Sequence, residues 1–274
     1  AASVAALDRR KFMKASGGLV IAFSLVDPLV AMAQTAAGNG GNVSVAPPEA
    51  ARLYAWIAIQ PDNTATLFTG KVDTGTGISI ALAQIAAEEL DFPVERLSVV
   101  MGTTSKTVDQ GPSYGSRTVR YAGPQIRHAA AAGRQVLLDL GATHFKLPAG
   151  RLSANDGKVF VVGTEARSIS YGELVAGKRL DMTIGASGKV FSLKVAPDAM
   201  LKDPSAYTVV GQPVHRKDIP GKVTGQFTYV QDVKFAGLLH GRVVRPYGLQ
   251  ANLLSVDESG LKDIPGFVDR KSVV

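Results

Sequence analysis

Gly70-Lys71-Val72-Asp73-Thr74-Gly75-Thr76-Gly77 is the stretch on which the reading of this chain turns, because its two flanks carry different periodicities. Upstream, the apolar runs Leu53–Ile59 and Ala65–Thr69 flank Pro61-Asp62-Asn63, which predicts a hairpin with turn chemistry. Downstream, Ile78, Ala81, Leu82, Ile85 and Leu90 recur at helical spacing, and Phe92-Pro93 stops the helix they predict. A glycine turn between a strand and a helix lets a ligand approach the backbone closely. The free amides and the positive end of the helix then favour an anion. A plain strand-to-helix turn uses the same glycines. The third glycine of a dinucleotide fingerprint is replaced by Ile80, and no Gly-Lys-Ser/Thr follows, so NAD and ATP are disfavoured.

Working outward, Leu97–Met101 reads as a strand and Gly102–Gly123 as a long polar loop. Pro124 sits at a helix start, with Ile126, Ala130, Gly133, Leu137 and Leu140 on one apolar face. Within the loop, Asp109–Thr118 gathers hydroxyls, an amide, an arginine and glycines suited to an anionic, hydrogen-bonding ligand. Loops of such length are uncommon unless functional or disordered. Leu152–Val162 reads as a second hairpin with Asp156-Gly157 at its turn, and Tyr171–Ala176 as a short helix. Gly185–Ser205 is polar and ambiguous. A new pattern starts near Val209, with strands expected at Gln226–Val230, Leu238–Arg245 and Leu253–Val256. The whole is α+β, with a second, smaller domain at the end.

The N-terminus carries Arg9-Arg10-Lys11-Phe12-Met13-Lys14, an apolar stretch from Gly17 to Val26, and Ala31-Met32-Ala33. This is the three-part pattern of an export signal. Its Arg-Arg-x-Phe-x-Lys core resembles the twin-arginine signal, with cleavage expected before Gln34. The apolar run is about half of the roughly 20 residues that span a bilayer. The glycine- and proline-bearing stretch that follows reads as a linker. The chain has 274 residues, 46% hydrophobic and 19% charged, enough for one large or two modest globular domains. Its net charge of +7 is scattered, with no basic run interleaved with aromatics, so nucleic acid is not an expected partner. There is no cysteine, so iron–sulfur clusters and thiolate metal sites cannot be built from this chain.

The run Gly70–Ile78, then Ala83–Leu90, then Gly111-Pro112-Ser113-Tyr114-Gly115-Ser116-Arg117, resembles the molybdopterin-binding large subunits of the xanthine dehydrogenase and aldehyde oxidase family. Val210–Gly225, Tyr229–Asp232 and Leu239–Pro246 resemble that family's hammerhead α/β domain. The order of segments is similar to the exported branch, which includes isoquinoline oxidoreductase and nicotinate or aldehyde dehydrogenase large subunits. The export pattern gives a signal peptide over 1–33 and a linker over 34–51, and the resemblance implies a partial mixed-sheet molybdopterin-binding α+β domain over 52–205 and a truncated hammerhead domain over 206–274. It implies that Gly75, Thr76, Gly77, Gln110, Tyr114, Gly115, Ser116 and Arg117 hold molybdopterin with its molybdenum, in the cytosine dinucleotide form. Thr76 stands where many members carry glutamine, so a hydroxyl replaces an amide there. The family's catalytic glutamate, set in Gly-x-Gly-Glu, has no match, so an incomplete subunit is expected and no catalytic residue is assigned.

By the same resemblance the substrate is an aldehyde or N-heterocycle. Electrons leave to an iron–sulfur small subunit and a cytochrome c subunit carrying haem. The remainder of the large subunit is a further partner, and the location is periplasmic, attached to the inner membrane through a partner. A non-catalytic interaction or assembly module of the same fold, with no cofactor, and an exported ligand-binding protein are the other readings. His128, His144, His215 and His240 lack metal-ligand spacing and are expected to be satisfied structural residues. Glu88 and Glu89 are adjacent on a helix and do not face each other, so one surface residue and one capping or ion-pair residue are expected. Ser113 and Ser116 sit in no nucleophile elbow, and Trp56 fits a core strand face better than a stacking platform.

Overall fold

The structure, a computed structural model, describes residues 46–269 except 197, 246, 247 and 249. The twin-arginine stretch, its cleavage site and most of the linker lie outside the described residues. The described residues divide into two compact units, one ending at Ile219 and the other beginning at Pro220.

In the first unit, strand β1 (Ile57–Ile59) pairs antiparallel with β2 (Ala65–Thr69), with Ile57 opposite Leu67. The turn between them places Asn63 at φ 60°, where asparagine is better tolerated than most residues, and Asp62 accepts the Thr64 amide. The first run is shorter as a strand than its apolar pattern suggests. Leu53–Ala55 forms a 3-10 turn because its flanks are pinned elsewhere: the Leu53 amide donates to Met182, and the Trp56 indole to the Ala50 carbonyl. Helix α1 (Ile78–Leu90) then carries the chain over to β3 (Leu97–Met101), which lies parallel to β2 with Leu67 opposite Val99. A parallel neighbour requires such a crossover, and all of β1 and most of β2 are buried, as sheet covered by helix should be.

Helix α2 (Gly123–Phe145) packs on α1 with Pro124 in its first turn. The run Ala129–Ala132 and Gly133 lets the two helices approach closely: a methyl on Gly133 meets Leu90 at 3.2 Å. Before α2, Thr118–Ala122 is not loop, as the polarity suggested, but a single π-helical turn. The second hairpin forms as expected, with β4 (Leu152–Asn155) and β5 (Lys158–Val161). Both turn residues are at positive φ, Asp156 at 49° and Gly157 at 69°, the conformation that an Asp-Gly hairpin turn adopts. A third strand, β6 (Thr164–Ser170), joins β5; its mostly exposed residues gave no apolar alternation to read. Helix α3 (Tyr171–Val175) starts with a capping box, in which Ser170 and Glu173 satisfy each other's amides. The Tyr171 ring is fully buried, and its hydroxyl donates to the Leu90 carbonyl at 2.7 Å. The ambiguous stretch after Gly185 contains a two-stranded ladder, β7 (Ala186–Ser187) with β8 (Lys194–Val195).

Residues 206–219, read from the sequence as the start of the second domain, belong to the first unit. In the second unit, the described residues contain no strand at 226–230, 238–245 or 253–256. Apolar patterning there meets no partner ladder, and an isolated strand leaves its amides and carbonyls unpaired. Val230, Val244 and Leu254 remain over 90% exposed, forgoing the ~1.5–3 kcal/mol that burial of each side chain contributes. Among the described residues, no helix is long and apolar enough to cross a membrane.

Candidate functional site

The two loops singled out by sequence leave the carboxyl ends of the neighbouring parallel strands β2 and β3. Ligands of open α/β sheets sit outside the carboxyl ends of parallel strands. The fold therefore brings together residues that lie about forty positions apart in sequence, and buried contacts fix the join. The Lys71 ammonium is 1% exposed and donates to the carbonyls of Gln110, Gly111 and Pro112 at 2.7, 3.0 and 3.0 Å. Burial holds this lysine below its usual value; Asp109 pulls it back up and Arg117 pushes it further down. The Ser113 hydroxyl accepts the Val72 amide at 3.0 Å.

Gln110 is part of this join. Its side-chain oxygen accepts the Thr69 hydroxyl at 2.6 Å and the Gly70 amide at 2.9 Å, and its amide nitrogen donates to Gln125 at 2.7 Å. It is 3% exposed. The residue expected at the cofactor thus acts as an internal strut, and the exposed surface of its loop lies further along.

The first loop departs from the expected cradle of free amides. Asp73 folds back on its own turn, accepting the amides of Gly75 and Gly77 on one oxygen at 2.9 and 3.1 Å and that of Ser79 on the other at 3.1 Å. Burial alone raises this carboxyl, but the three amides outweigh it and hold the group below the usual aspartate range. The start of α1 therefore already has its anion, supplied by the chain itself. An acidic residue two positions ahead of a glycine was the available signal for this Asx-type turn. What the loop presents outward is Thr76, exposed, beside Gly75, where an added Cβ meets nothing within 4 Å among the described residues. Gly75 and Gly77 have φ of 105° and 79°, a region that side-chain-bearing residues rarely adopt.

The second loop presents Tyr114, 54% exposed, then Gly115 and Ser116 at φ 58° and 55°. A serine in that region is unusual, and such residues cluster at functional sites. The Arg117 guanidinium lies 5.2 Å from the Tyr114 ring centre and 5.6 Å from that of Tyr121. Two aromatic faces so restrict its orientation while keeping its charge. Tyr121 belongs to the π-helical turn, a feature that recurs at functional positions in helices. Tyr114, Gly115, Ser116 and Arg117 are therefore contiguous at the surface, with Thr76 on the loop pinned to theirs.

A strap formed by residues 202–218 runs along α1 and was not legible from sequence. Both Glu88 and Glu89 are 1% exposed, contrary to the expectation that one is a surface residue. They diverge, as adjacent helical positions must. One oxygen of Glu88 accepts the consecutive amides of Thr208, Val209 and Val210 at 3.0, 2.6 and 2.9 Å, and the other accepts Lys202 at 3.1 Å. Glu89 pairs with Arg127 at 2.7 Å and accepts the Lys202 amide. Four residues before Glu88, Gln84 donates to the carbonyls of Val209 and Gln212. The strap ends at Arg216 and Lys217; the ammonium of Lys217 donates to the Glu95 and Leu97 carbonyls at 2.8 and 3.0 Å. His128 differs from the satisfied histidine expected: its Nδ1 is buried with no hydrogen-bond partner among the described residues, and burial lowers its basicity.

The family model described as the molybdopterin cofactor-binding domain matches residues 29–216. A nicotinate dehydrogenase component from Pseudomonas putida is 38% identical over 79% of this chain and 18% of that protein. The beta chain of isoquinoline 1-oxidoreductase from Brevundimonas diminuta is 28% identical over 95% of this chain and 36% of that protein. A membrane-bound aldehyde dehydrogenase of Gluconacetobacter polyoxogenes, whose name specifies pyrroloquinoline quinone, is 26% identical over 96% of this chain and 33% of that protein. The chain spans between about a fifth and about a third of the length of these curated relatives.

Proposed function

This chain belongs to the molybdopterin cofactor-binding domain family, and from that premise we propose that it forms one wall of the cofactor site in the large subunit of a molybdenum-dependent oxidoreductase. The observation that carries this reading is the buried join of Lys71 and Gln110, which fixes two glycine-bearing loops side by side at the carboxyl ends of parallel strands. The residues fit a large anionic, hydrogen-bonding group. Gly75 leaves open space at the backbone, Thr76 and Ser116 supply hydroxyls, and Arg117 supplies a charge held between two tyrosine rings. The amides at the start of α1 are already taken by Asp73, so recognition of phosphate falls to Arg117 and the Tyr114–Ser116 backbone. When bound, the cofactor supplies two-electron redox chemistry at molybdenum. This chain's part is binding and orientation, with Arg117 holding the anionic end and the loops excluding water from it.

The finer reading has the dinucleotide in its cytosine form, an iron–sulfur small subunit and a cytochrome c subunit as electron acceptors, and an aldehyde or N-heterocycle as substrate. The names of the relatives, two of which are subunits of a nicotinate dehydrogenase and an isoquinoline oxidoreductase and one an aldehyde dehydrogenase, support the substrate class and a multi-subunit assembly. In this reading residues 206–274 take the hammerhead role, and Arg9-Arg10-Lys11-Phe12 supports export to the periplasm. Replacing both Arg9 and Arg10 by lysine is expected to leave a reporter fused behind residue 50 in the cytoplasm. Export at the parental level from that double variant rules out the twin-arginine route.

The cofactor reading is tested on the purified full chain, coexpressed with its iron–sulfur partner in a host that makes molybdopterin. Metal analysis and pterin fluorescence are expected to find both molybdenum and pterin. Arg117→Ala is expected to lower occupancy about tenfold, the scale of a lost charge-assisted hydrogen bond. Absence of both from the parental protein, or a quinone in their place, overturns the proposal and leaves the assembly-module reading.

A further inference from the structure

We propose that Arg216, at the end of the strap, is the positioning residue for the Gly75–Gly77 turn, so that this turn takes its final shape only with the strap in place. The inference rests on the cofactor reading for its consequence but on geometry for its substance. The Arg216 guanidinium donates to the Gly75 carbonyl at 3.1 Å. Its Nε and Nη2 meet the two oxygens of Asp218 at 3.0 and 2.7 Å, a two-point grip that fixes the plane of the guanidinium. Its methylene stem lies against Gly77: a Cβ added there comes within 2.9 Å of the Arg216 Cδ and 3.1 Å of its Nε. Gly77 is favoured by its φ of 79°, and a side chain there would also displace the Arg216 guanidinium.

The turn is held from both sides. Asp73 takes its amides from within, and Arg216 takes its outward carbonyl from 141 residues away. Both groups act on backbone atoms, so the geometry they impose does not depend on the side chain at position 76. From α1, Gln84 and Glu88 grip residues 208–212 of the strap, which delivers Arg216 to the N-terminal end of that helix. Arg216 contacts the loop's backbone and acts on the cofactor through it.

The test is residue-resolved amide exchange across 70–80 in the full chain purified without cofactor, with cofactor release followed separately on the loaded protein. Arg216→Ala is expected to speed exchange at Gly75, Gly77 and Ser79 about tenfold, the scale of one hydrogen bond from a charged donor. Arg216→Lys, which keeps the charge but cannot grip Asp218 at two points, is expected to recover only part of the protection. Tyr171→Phe removes a buried hydrogen bond at the far end of α1 and serves as the stability control; it is expected to leave 70–80 unchanged. The loaded Arg216→Ala protein is expected to release molybdenum about tenfold faster, on the same basis. Parental exchange at 70–80 in Arg216→Ala, or equal acceleration in Tyr171→Phe, overturns the proposal. If the parental protein never holds molybdenum, the cofactor reading fails, and the exchange measurement still decides the role of Arg216.

Discussion

Glu88→Ala is expected to lower the melting temperature of the chain by roughly 10 °C, corresponding to about 3–5 kcal/mol for removing one partner from a buried charged network. Three backbone amides, of Thr208, Val209 and Val210, lose their acceptor together, and the Lys202 ammonium loses one of its two carboxylates, keeping Asp91 at 2.6 Å. At an exposed site such a change would be worth under about 1 kcal/mol. Here the carboxylate is 1% exposed and its contacts to the strap are partly buried, so the larger figure applies. Thermal unfolding of the variant beside the parental chain checks it, and a shift below about 3 °C means the strap does not hold the fold.

The same residue sets part of the acid sensitivity. Burial pushes the Glu88 carboxyl up, but the amides of Val210 and Val209 and the Lys202 ammonium outweigh it, so the folded value lies below the ordinary 4.5. A depressed carboxyl contributes stability that is fully present above its unfolded value and is lost as pH falls through the folded one. The gap in stability between the parental chain and Glu88→Ala should therefore be constant near neutrality and narrow below about pH 4.5. A gap that widens on acidification contradicts the assignment.

Gly70→Ala is expected to cost about 3 kcal/mol and to abolish cofactor retention, although the substitution adds a single methyl group. The added carbon falls 2.1 Å from the Val108 carbonyl oxygen and 3.1 Å from the Gln110 amide. Those are backbone atoms of the opposite loop, so one loop must move and the contacts of Gln110 and Lys71 go with it. Gly75→Ala provides the contrast. It has a φ of 105° but nothing within 4 Å, so its penalty is backbone strain alone, on the order of 1–2 kcal/mol. Denaturant unfolding and pterin content of the two variants separate steric displacement from strain. Equal losses in both would mean that the close approach at Gly70 does not matter.

What was legible in the sequence was local. Ile78–Leu90 shows its face at helical spacing, Asp156-Gly157 dictates its own hairpin, and Pro124 marks a helix start, because each signal involves residues within a turn or two of one another. β6 was missed because Thr164–Ser170 alternates nothing apolar; it is a strand because β5 offers it a ladder. The reverse error occurred at 226–256, where apolar alternation is present but the described residues offer no ladder. At the site, glycine content singled out both loops, while three structural roles depended on distant partners. Gln110 is a strut because Gln125 and Gly70 meet it, Glu88 is buried because residues 208–210 cover it, and Lys71 is buried against carbonyls of the other loop. The occupation of the first cradle by Asp73 was within reach, being an interaction across only two to six residues.

The length of chain between the strap and the turn it grips has a bearing on synthesis. β2, the Gly70–Gly77 turn and α1 leave the ribosome before the strap, and the guanidinium that meets the Gly75 carbonyl is encoded 141 residues after it. At typical elongation rates of roughly 5–20 residues per second, that interval is about 7–28 s. For those seconds the nascent turn has its internal aspartate and not its outer clamp, and Glu88 awaits the amides that neutralise the difficulty of its burial. The Gly75–Gly77 turn is thus made 141 residues before the residue that completes its clamp.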